Sequence, residues 1–393
     1  MRSPPAELAV FTGRPAFSEP LHVGRPNVGD TERVLERIRG ALDRRWLTNN
    51  GPLVREVEER IGKLTGVRRC IAVGNATSGL QLVARALELK GEVIVPSWTF
   101  VGTAQALSWI GLEPVFCEID AETHNLDPAA VAAAITPRTS AILGVHLWGR
   151  SCDVEGLAAV AEAHGIPLLF DAAHALGCSH RGRPVGGLGL AEVFSLHATK
   201  VVSAAEGGVI TTDDEELADR LYFTRSFGYA GYDTVVALGI NAKMDELSAA
   251  LALTGLEHLD ELVAVNRRNH RAYERLLAGV DDVRLLRYDE SERNNYQYVV
   301  LEVEGALERD TLIAALHAEN VLARRYFHPG CHRSPPYSER GLTLDVTERV
   351  SGRVVALPTG TAIEEDDIEI ICSIIALAAQ YGDEIAAALP SSA

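Results

Sequence analysis

The sequence predicts an α/β protein, a mostly parallel central sheet covered by helices and followed by a smaller C-terminal α/β domain. Three observations carry this expectation. Between residues 31 and 256, short β-rich runs alternate with amphipathic helical stretches, the alternation that builds parallel strands through crossover helices. The chain has 393 residues, two to three domain lengths, and its 47% hydrophobic content suffices for a sizeable core. A helical stretch over 244–278, with a break near Leu259-Asp260, then leads into a second set of strand and helix signals.

Residues 1–30 contain five prolines and little periodicity and read as an extended N-terminal arm. In the large domain, 31–256, strands are expected at Cys70–Val73, Val93–Val95, Pro114–Phe116, Ala141–Leu147, Pro167–Phe170, Glu192–Ser195 and Gly208–Thr212. A helix is expected over Leu80–Leu89. Asp127-Pro128 opens another as N-cap and first-turn proline, and a third runs from Asp153 to Gly165. The small domain, 257–393, should hold the strand Asn294–Glu304 and two further helices.

Composition narrows the function. With 54 acidic against 37 basic side chains the formal charge is −17, and no Lys/Arg cluster appears, so a nucleic-acid partner is not expected. The six cysteines, at 70, 117, 152, 178, 331 and 372, form no CxxC pair, which disfavours a zinc ribbon, another metal site or a disulfide framework. The amino terminus lacks a charged flank followed by an apolar run. The longest apolar stretch, Ile368–Ala379, is interrupted by Glu369 and Cys372-Ser373 and is too short to span a bilayer. The expectation is a soluble, reduced, cytoplasmic protein with no membrane partner.

Three segments carry chemistry. Gly74-Asn75-Ala76-Thr77-Ser78-Gly79 joins a strand to a helix, which offers free N–H groups, hydroxyls and a positive dipole end to a phosphate. It also fits a plain turn with Thr77 or Ser78 as N-cap. Asp171, in Phe170-Asp171-Ala172-Ala173-His174, stands at the carboxyl end of an apolar strand, where α/β sheets bind ligands. There it could hold a protonated ring nitrogen, ligate a metal or cap the next helix. Lys200 closes Ser195-Leu196-His197-Ala198-Thr199-Lys200 among small and apolar neighbours. Desolvation would lower its pKa and make it a Schiff-base nucleophile; otherwise it is an exposed loop lysine. Taken together, a phosphate cradle, a ring-nitrogen carboxylate and a Schiff-base lysine on one α/β domain are what pyridoxal phosphate requires. Phe100, just beyond another strand, could stack on the pyridine ring or fill the core.

The chain resembles the DegT/DnrJ/EryC1/StrS sugar aminotransferases, pyridoxal phosphate enzymes of fold type I with an aspartate-aminotransferase-like fold. The likeness runs from Pro26 to about Asp367. It rests on Trp46-Leu47-Thr48-Asn49-Asn50-Gly51-Pro52, Asn75-Ala76-Thr77-Ser78, Pro96-Ser97-Trp98-Thr99-Phe100, Val145-His146-Leu147-Trp148-Gly149, the Asp171 and Lys200 motifs, Glu206-Gly207-Gly208, Gly239-Ile240-Asn241-Ala242-Lys243-Met244 and Leu357-Pro358-Thr359-Gly360. The Val23-Gly24-Arg25-Pro26-Asn27 opening, the His146–Arg150 run and the Tyr326–His332 segment are most similar to 4-aminotransferases acting on dTDP-4-keto-6-deoxyglucose in antibiotic deoxysugar pathways.

The resemblance implies roles. Lys200 would hold the cofactor and then carry the proton between cofactor and substrate carbons. Asp171 would pair with the pyridinium nitrogen, and His174 would lie near the phenolic oxygen where many relatives have Gln. Thr77, Ser78 and Ser195 would hold the phosphate, and Asn241 would reach the phosphate of a partner subunit, which implies a homodimer. An alternative is that Asn241 caps its own following helix. The role of Asn75 is left open. Substrate contacts are expected at Thr48, Asn50 and His328, with Arg225, Lys243, Arg324 and Arg325 as donors for a diphosphate or, equally, as surface or dimer-contact cations. L-Glutamate would load the cofactor as pyridoxamine phosphate in the first half of a ping-pong reaction. Alternatives are a 3-aminotransferase, a pyridoxamine-dependent sugar 3-dehydratase, whose relatives have His where Lys200 stands, and a non-catalytic regulatory protein.

Overall fold

The computed structural model describes residues 8–389. Its centre is a seven-stranded sheet built from β1 (Arg69–Val73), β2 (Glu92–Pro96), β3 (Glu113–Cys117), β4 (Thr139–Val145), β5 (Leu168–Asp171), β6 (Ala191–Ser195) and β7 (Gly208–Thr212). The spatial order is β1-β7-β6-β5-β4-β2-β3. All pairs are parallel except those of β7, which runs antiparallel to both β1 and β6. The inner strands read as unbroken apolar runs because helices cover both faces. Val93, Ile94 and Val95 of β2 are fully buried, each contributing roughly 1.5–3 kcal/mol by leaving water.

A second, antiparallel sheet orders β8 (Val283–Leu285), β9 (Val299–Val303) and β10 (Val354–Leu357) side by side. Helices Leu259–Leu277, Arg309–Ala318 and Glu365–Gln380 pack on it around Leu301, Leu312, Leu316, Ile371 and Ile375. The helical break falls at His258, between Glu246–Glu257 and Leu259–Leu277. Among the described residues five helices follow the strand Val299–Val303 rather than two, since Pro335–Ser338, Asp345–Ser351 and Gly382–Ala388 are short pieces without a long periodic signal. Among the described residues no single helix is long and apolar enough to cross a membrane. Glu365–Gln380 and Gly382–Ala388 pass that test only jointly and bend by 92°.

Three local expectations are corrected. The described part of the N-terminal arm is not simply extended: Ala9–Thr12 forms a helical turn, and Leu21–His22 pairs in parallel with Val321–Leu322. Leu8 is buried in the C-terminal core, and the Ala9 N–H donates to Glu319 Oε1 at 2.8 Å. Strand β4 stops at Val145 because Leu147–Gly149 turns back, with Trp148 in the left-handed region at φ 61°. The helix after β1 starts at Ala76, and its N-cap is Asn75, not Thr77 or Ser78; the Asn75 side chain accepts from the Ser78 N–H at 2.8 Å.

One buried carboxylate ties the helical layer together. Helix Pro52–Thr65 starts at Gly51 with no side-chain cap of its own. Glu246, fully buried in the first turn of another helix, accepts the N–H groups of Leu53 at 3.1 Å and Val54 at 2.9 Å. A Cβ on Gly51 would fall 2.5 Å from this carboxylate, which explains the glycine there. Glu246→Ala strands both donors, so it should lower unfolding free energy by about 2 kcal/mol, read as a drop in the urea midpoint.

Candidate active site

The site forms where β1, β2, β5 and β6 end and their loops meet. In the phosphate-type turn the first-turn N–H groups of helix Ala76–Ala86 point outward, as those of any helix start must. Two glycines allow the close packing behind it: a Cβ on Gly208 would lie 2.7 Å from the Ala76 nitrogen, and one on Gly79 would lie 2.8 Å from Val193. Thr77 is exposed beside this turn, and the Ser78 hydroxyl donates to the Asn75 carbonyl at 2.8 Å. Ser195, the last residue of β6, accepts from the His197 N–H at 3.2 Å.

Asp171 ends β5, opposite Val145 and Val193 of the flanking strands, and is buried. Thr103 Oγ1 donates to its Oδ2 at 2.8 Å and the Ala173 N–H to its Oδ1 at 3.1 Å. Burial pushes its pKa up, while those two donors and the Lys200 charge pull the other way. This is a dry carboxylate lined by donors, suited to meet a cationic ring N–H. It caps no helix.

Lys200 sits half-buried, and its Nζ donates to the Tyr298 hydroxyl at 3.2 Å. Desolvation lowers its pKa to about 8 against the opposing pull of Asp171 and Tyr326. It is therefore not an exposed loop lysine. Its loop folds on itself through Leu196 N–H to Gly207 C=O at 2.9 Å and Ala204 N–H to Leu196 C=O at 2.8 Å.

An aromatic wall completes the cleft. Trp148 stacks on Phe327, centroids 5.4 Å apart and 10° from parallel, and on His174 at 6.0 Å. Tyr298 leans on His174 at 4.5 Å and meets Trp148 edge-on at 5.3 Å. His174 is buried, and desolvation then the Lys200 charge drive its pKa well down, so the ring is neutral. Its Nδ1 accepts the Trp148 N–H at 3.2 Å, which places the ring proton on Nε2. Phe100 is 60% exposed, with its ring 6.4 Å from Phe327, and is no core aromatic.

The substrate candidates divide into two groups. Arg324, exposed, stands over the Tyr326 ring at 5.3 Å, at the rim of the aromatic wall; exposed His328 follows on the same turn, its N–H donating to the Arg325 carbonyl at 2.8 Å. Arg325 itself lies 3.5 Å from Asp310 at the surface. Asn50, Arg225 and Lys243 instead line a separate cleft of about 740 Å³ with Trp46, Tyr222 and Phe227, and Thr48 is exposed two residues before Asn50. Arg225 is corrected as a diphosphate donor: it is buried, donates to Glu58 Oε1 at 2.5 Å, to the Ala72 carbonyl at 2.7 Å and to Asn50 Oδ1 at 3.0 Å. Asn241 is exposed, and its Oδ1 accepts from Lys243 Nζ at 2.6 Å. It caps no helix, since Asp245 accepts the Leu247 and Ser248 N–H groups of the next one.

Thr103 and Tyr298 face this cleft without having been singled out in the sequence, and Trp148, Tyr326 and Phe327 figured there only as markers of the resemblance, with no role. Tyr298 had a weak signal, an aromatic beside polar residues just before an apolar strand. A decoy also emerges. Ser97 Oγ lies 2.6 Å from His332 Nδ1, and His332 Nε2 lies 3.1 Å from Glu348, in the manner of a hydrolytic triad. But Ser97 is fully buried and its Oγ already accepts the His332 N–H at 3.1 Å. The trio clamps the C-terminal unit onto the loop that carries Phe100.

A desolvated lysine, a buried carboxylate and a helix start converging under an aromatic wall define a pyridoxal phosphate-dependent aminotransferase. The chain belongs to the DegT/DnrJ/EryC1/StrS aminotransferase family, whose model matches residues 29–376. It is 33% identical over 363 residues to the dTDP-4-amino-4,6-dideoxy-D-glucose transaminase of Shigella dysenteriae, covering 91% of this chain and 99% of that protein. It is likewise 33% identical over 366 residues to the GDP-perosamine synthase of Caulobacter vibrioides, with 90% and 97% covered. Among solved structures, that of DesI in the presence of its TDP-sugar product superposes with a TM-score of 0.93 at 52% identity, covering 97% of this chain and 98% of that one.

Lys200→Met should abolish turnover without lowering the melting temperature at pH 7. A lysine whose folded pKa falls from 10.5 to about 8 destabilises the fold while it is charged. The cofactor-free variant should therefore be the more stable below pH 8 by on the order of 2 kcal/mol. The advantage should shrink as pH rises through 8 and vanish above the unfolded value, as denaturation at several pH values will measure.

Proposed function

We propose that this aminotransferase moves the amino group of L-glutamate to C4 of dTDP-4-keto-6-deoxy-D-glucose, giving dTDP-4-amino-4,6-dideoxy-D-glucose, in natural-product deoxysugar biosynthesis. One observation carries the reading: Asp171, at the end of β5, and Lys200, in the loop that leaves the adjacent parallel strand β6, sit in a frame 52% identical to DesI over 97% of the chain. A 3-dehydratase is disfavoured because Lys200 is present. The enzyme works in the cytoplasm as a homodimer.

The bound cofactor supplies an electron sink and carries the amino group between donor and acceptor. Thr77, Ser78 and Ser195 hold its phosphate against the helix start, where the dipole favours an anion. Asp171 would keep the ring nitrogen protonated, the neutral His174 would offer its Nε2 proton to the phenolic oxygen, and Phe100 would shield the ring. Lys200 Nζ moves a proton off the glutamate carbon and later delivers one to C4 of the sugar. Its lowered pKa suits both tasks near neutrality. Trp148, Tyr326 and Phe327 keep the lysine side of the cleft poor in water, and Arg324 and His328 border the route of the diphosphate.

The homodimer reading is supported by the loop 226–243. Phe227, Tyr232, Val235, Val236, Leu238 and Ile240 are all exposed there, Tyr232 completely and Leu238 by 90%. So large an apolar display fits a second copy of the chain. Asn241 lies in this loop, where its amide would serve the phosphate of the partner's cofactor.

Purified enzyme incubated with glutamate and a panel of keto-sugar nucleotides should yield the 4-amino product from the dTDP-4-keto-6-deoxyglucose substrate, identified by mass and NMR stereochemistry. Amination at C3, or of none of the panel, overturns the assignment.

The shared site is tested by mixing chains that lack Lys200 (Lys200→Ala) with chains that lack Asn241 (Asn241→Ala). If Asn241 crosses the interface, one heterodimer site takes Lys200 from one chain and Asn241 from the other, and up to half the parental activity returns. Confirmed heterodimers no more active than Asn241→Ala alone rule the crossing out.

A further inference from the structure

The strand that begins at Val299 belongs to the C-terminal sheet, yet the residue before it reaches the reactive lysine of the other sheet. Tyr298 Oη is the acceptor for Lys200 Nζ at 3.2 Å. Neighbouring contacts fix that distance. The Val201 N–H donates to Gln297 Oε1 at 2.7 Å, so the residue after Lys200 is tied to the residue before Tyr298. Tyr288 Oη lies 2.9 Å from the Tyr298 carbonyl and 3.0 Å from the Trp148 carbonyl, pinning the same backbone from the other side. The Tyr298 ring is wedged between His174 and Trp148.

We propose that Tyr298 is a positioning residue for Lys200, the mooring on which the amine rests whenever it is not bonded to the cofactor. This rests on the reading of Lys200 as the proton carrier. The chemistry of a phenol suits the task. Its oxygen accepts from an ammonium, and its proton can be offered to a neutral amine, so the pair stays hydrogen-bonded in both states of Lys200. No proton is gained or lost by the tyrosine over a turnover. Burial pushes its own ionisation up, and the nearby Asp171 charge works in the same direction, so it remains a neutral hydroxyl throughout. The other ionisable groups around the amine are Asp171 and Tyr326, both of which favour its charge, and His174, which is neutral. A lysine released from the cofactor without such a mooring would sample several rotamers of a long side chain, and each half-reaction would wait for its return.

The test uses full-length holoenzyme converted by glutamate to its pyridoxamine phosphate form, in which Lys200 is free. Acetic anhydride labelling of Lys200, followed by mass spectrometry across pH, reads its titration directly. In the parental enzyme the midpoint should lie below that of a free lysine, since burial disfavours the charged amine. Tyr298→Phe keeps the ring and removes only the hydroxyl. The midpoint should then fall by about one unit, the size expected when an ammonium loses one charge-assisted acceptor. Turnover should fall by about tenfold or more at a KM for glutamate changed by less than about twofold, since the amine's place and not donor binding is altered. An unchanged midpoint overturns the proposal, whether or not activity drops, because a packing defect alone would leave the lysine's titration in place. Borohydride treatment of the parental holoenzyme keeps the two readings apart. If reduction fails to fix the cofactor on Lys200, the reading of the lysine itself is wrong; if it succeeds and Tyr298→Phe leaves the midpoint in place, only the mooring falls.

Discussion

On the proposed reading, Lys200 has to satisfy two opposed conditions, and most of the architecture serves them. Its amine must be dry enough to give up a proton near neutrality and open enough to meet a carbon of the substrate. A lysine on a helix face or at a strand centre meets one condition at most. Here it lies in the loop between β6 and the reversed strand β7, half-buried and desolvated to a pKa of about 8. The loop is compact because its residues are small: a Cβ on Gly207 would fall 2.7 Å from that of Ala204 and 3.0 Å from Met244. Close packing around the stem is what removes water, and the loop's position beyond the strand ends is what keeps the head accessible.

Strand order supplies the partners. β5 and β6 are adjacent and parallel, so the carboxylate that ends one and the lysine loop that leaves the other emerge at the same edge, the region where open α/β sheets bind ligands. Because β7 returns between β6 and β1, it brings Gly208 against the backbone of Ala76. The start of helix Ala76–Ala86 and the lysine loop thus become neighbours although they are far apart in the chain.

This explains which features were legible in the sequence. Asp171, Lys200 and the Gly74–Gly79 turn each combine a strand end with a distinctive residue type, and a strand end is a local property. Tyr298 precedes a strand of the second sheet, and its weak local signal, an aromatic beside polar residues, does not say which residue of the other sheet it meets. Arg225 looked like a free cation because Glu58, which neutralises it, is 167 residues away in the chain. Asn75, Thr77 and Ser78 are all competent N-caps, so composition could not choose among them. The choice was made by β1 ending at Val73, which left Asn75 with the extended backbone a cap needs. The arm was misread for a related reason: Leu8 and Leu21 find their partners in the C-terminal unit, beyond the range of any local pattern.

The acidic balance of the chain, −17, looks poorly matched to a nucleotide diphosphate until the charges are located. Much of the arginine is spent on carboxylates: Arg37 and Arg60 share Glu257, Arg284 meets Glu122, Glu302 and Glu304, and Arg225 is sealed against Glu58. Arg324 and Lys243 are held differently, over the faces of Tyr326 at 5.3 Å and Phe227 at 5.1 Å. An aromatic face orients a cation without cancelling its charge, whereas a carboxylate does both. Among the described residues neither side chain meets a carboxylate, so each projects its positive charge, one at the rim of the aromatic wall and one in the cleft beside β1. On the proposed reading, a phosphate at the rim of the aromatic wall meets the field of Arg324 and not the sum over the surface, because charges more than about 10 Å away are screened by physiological salt.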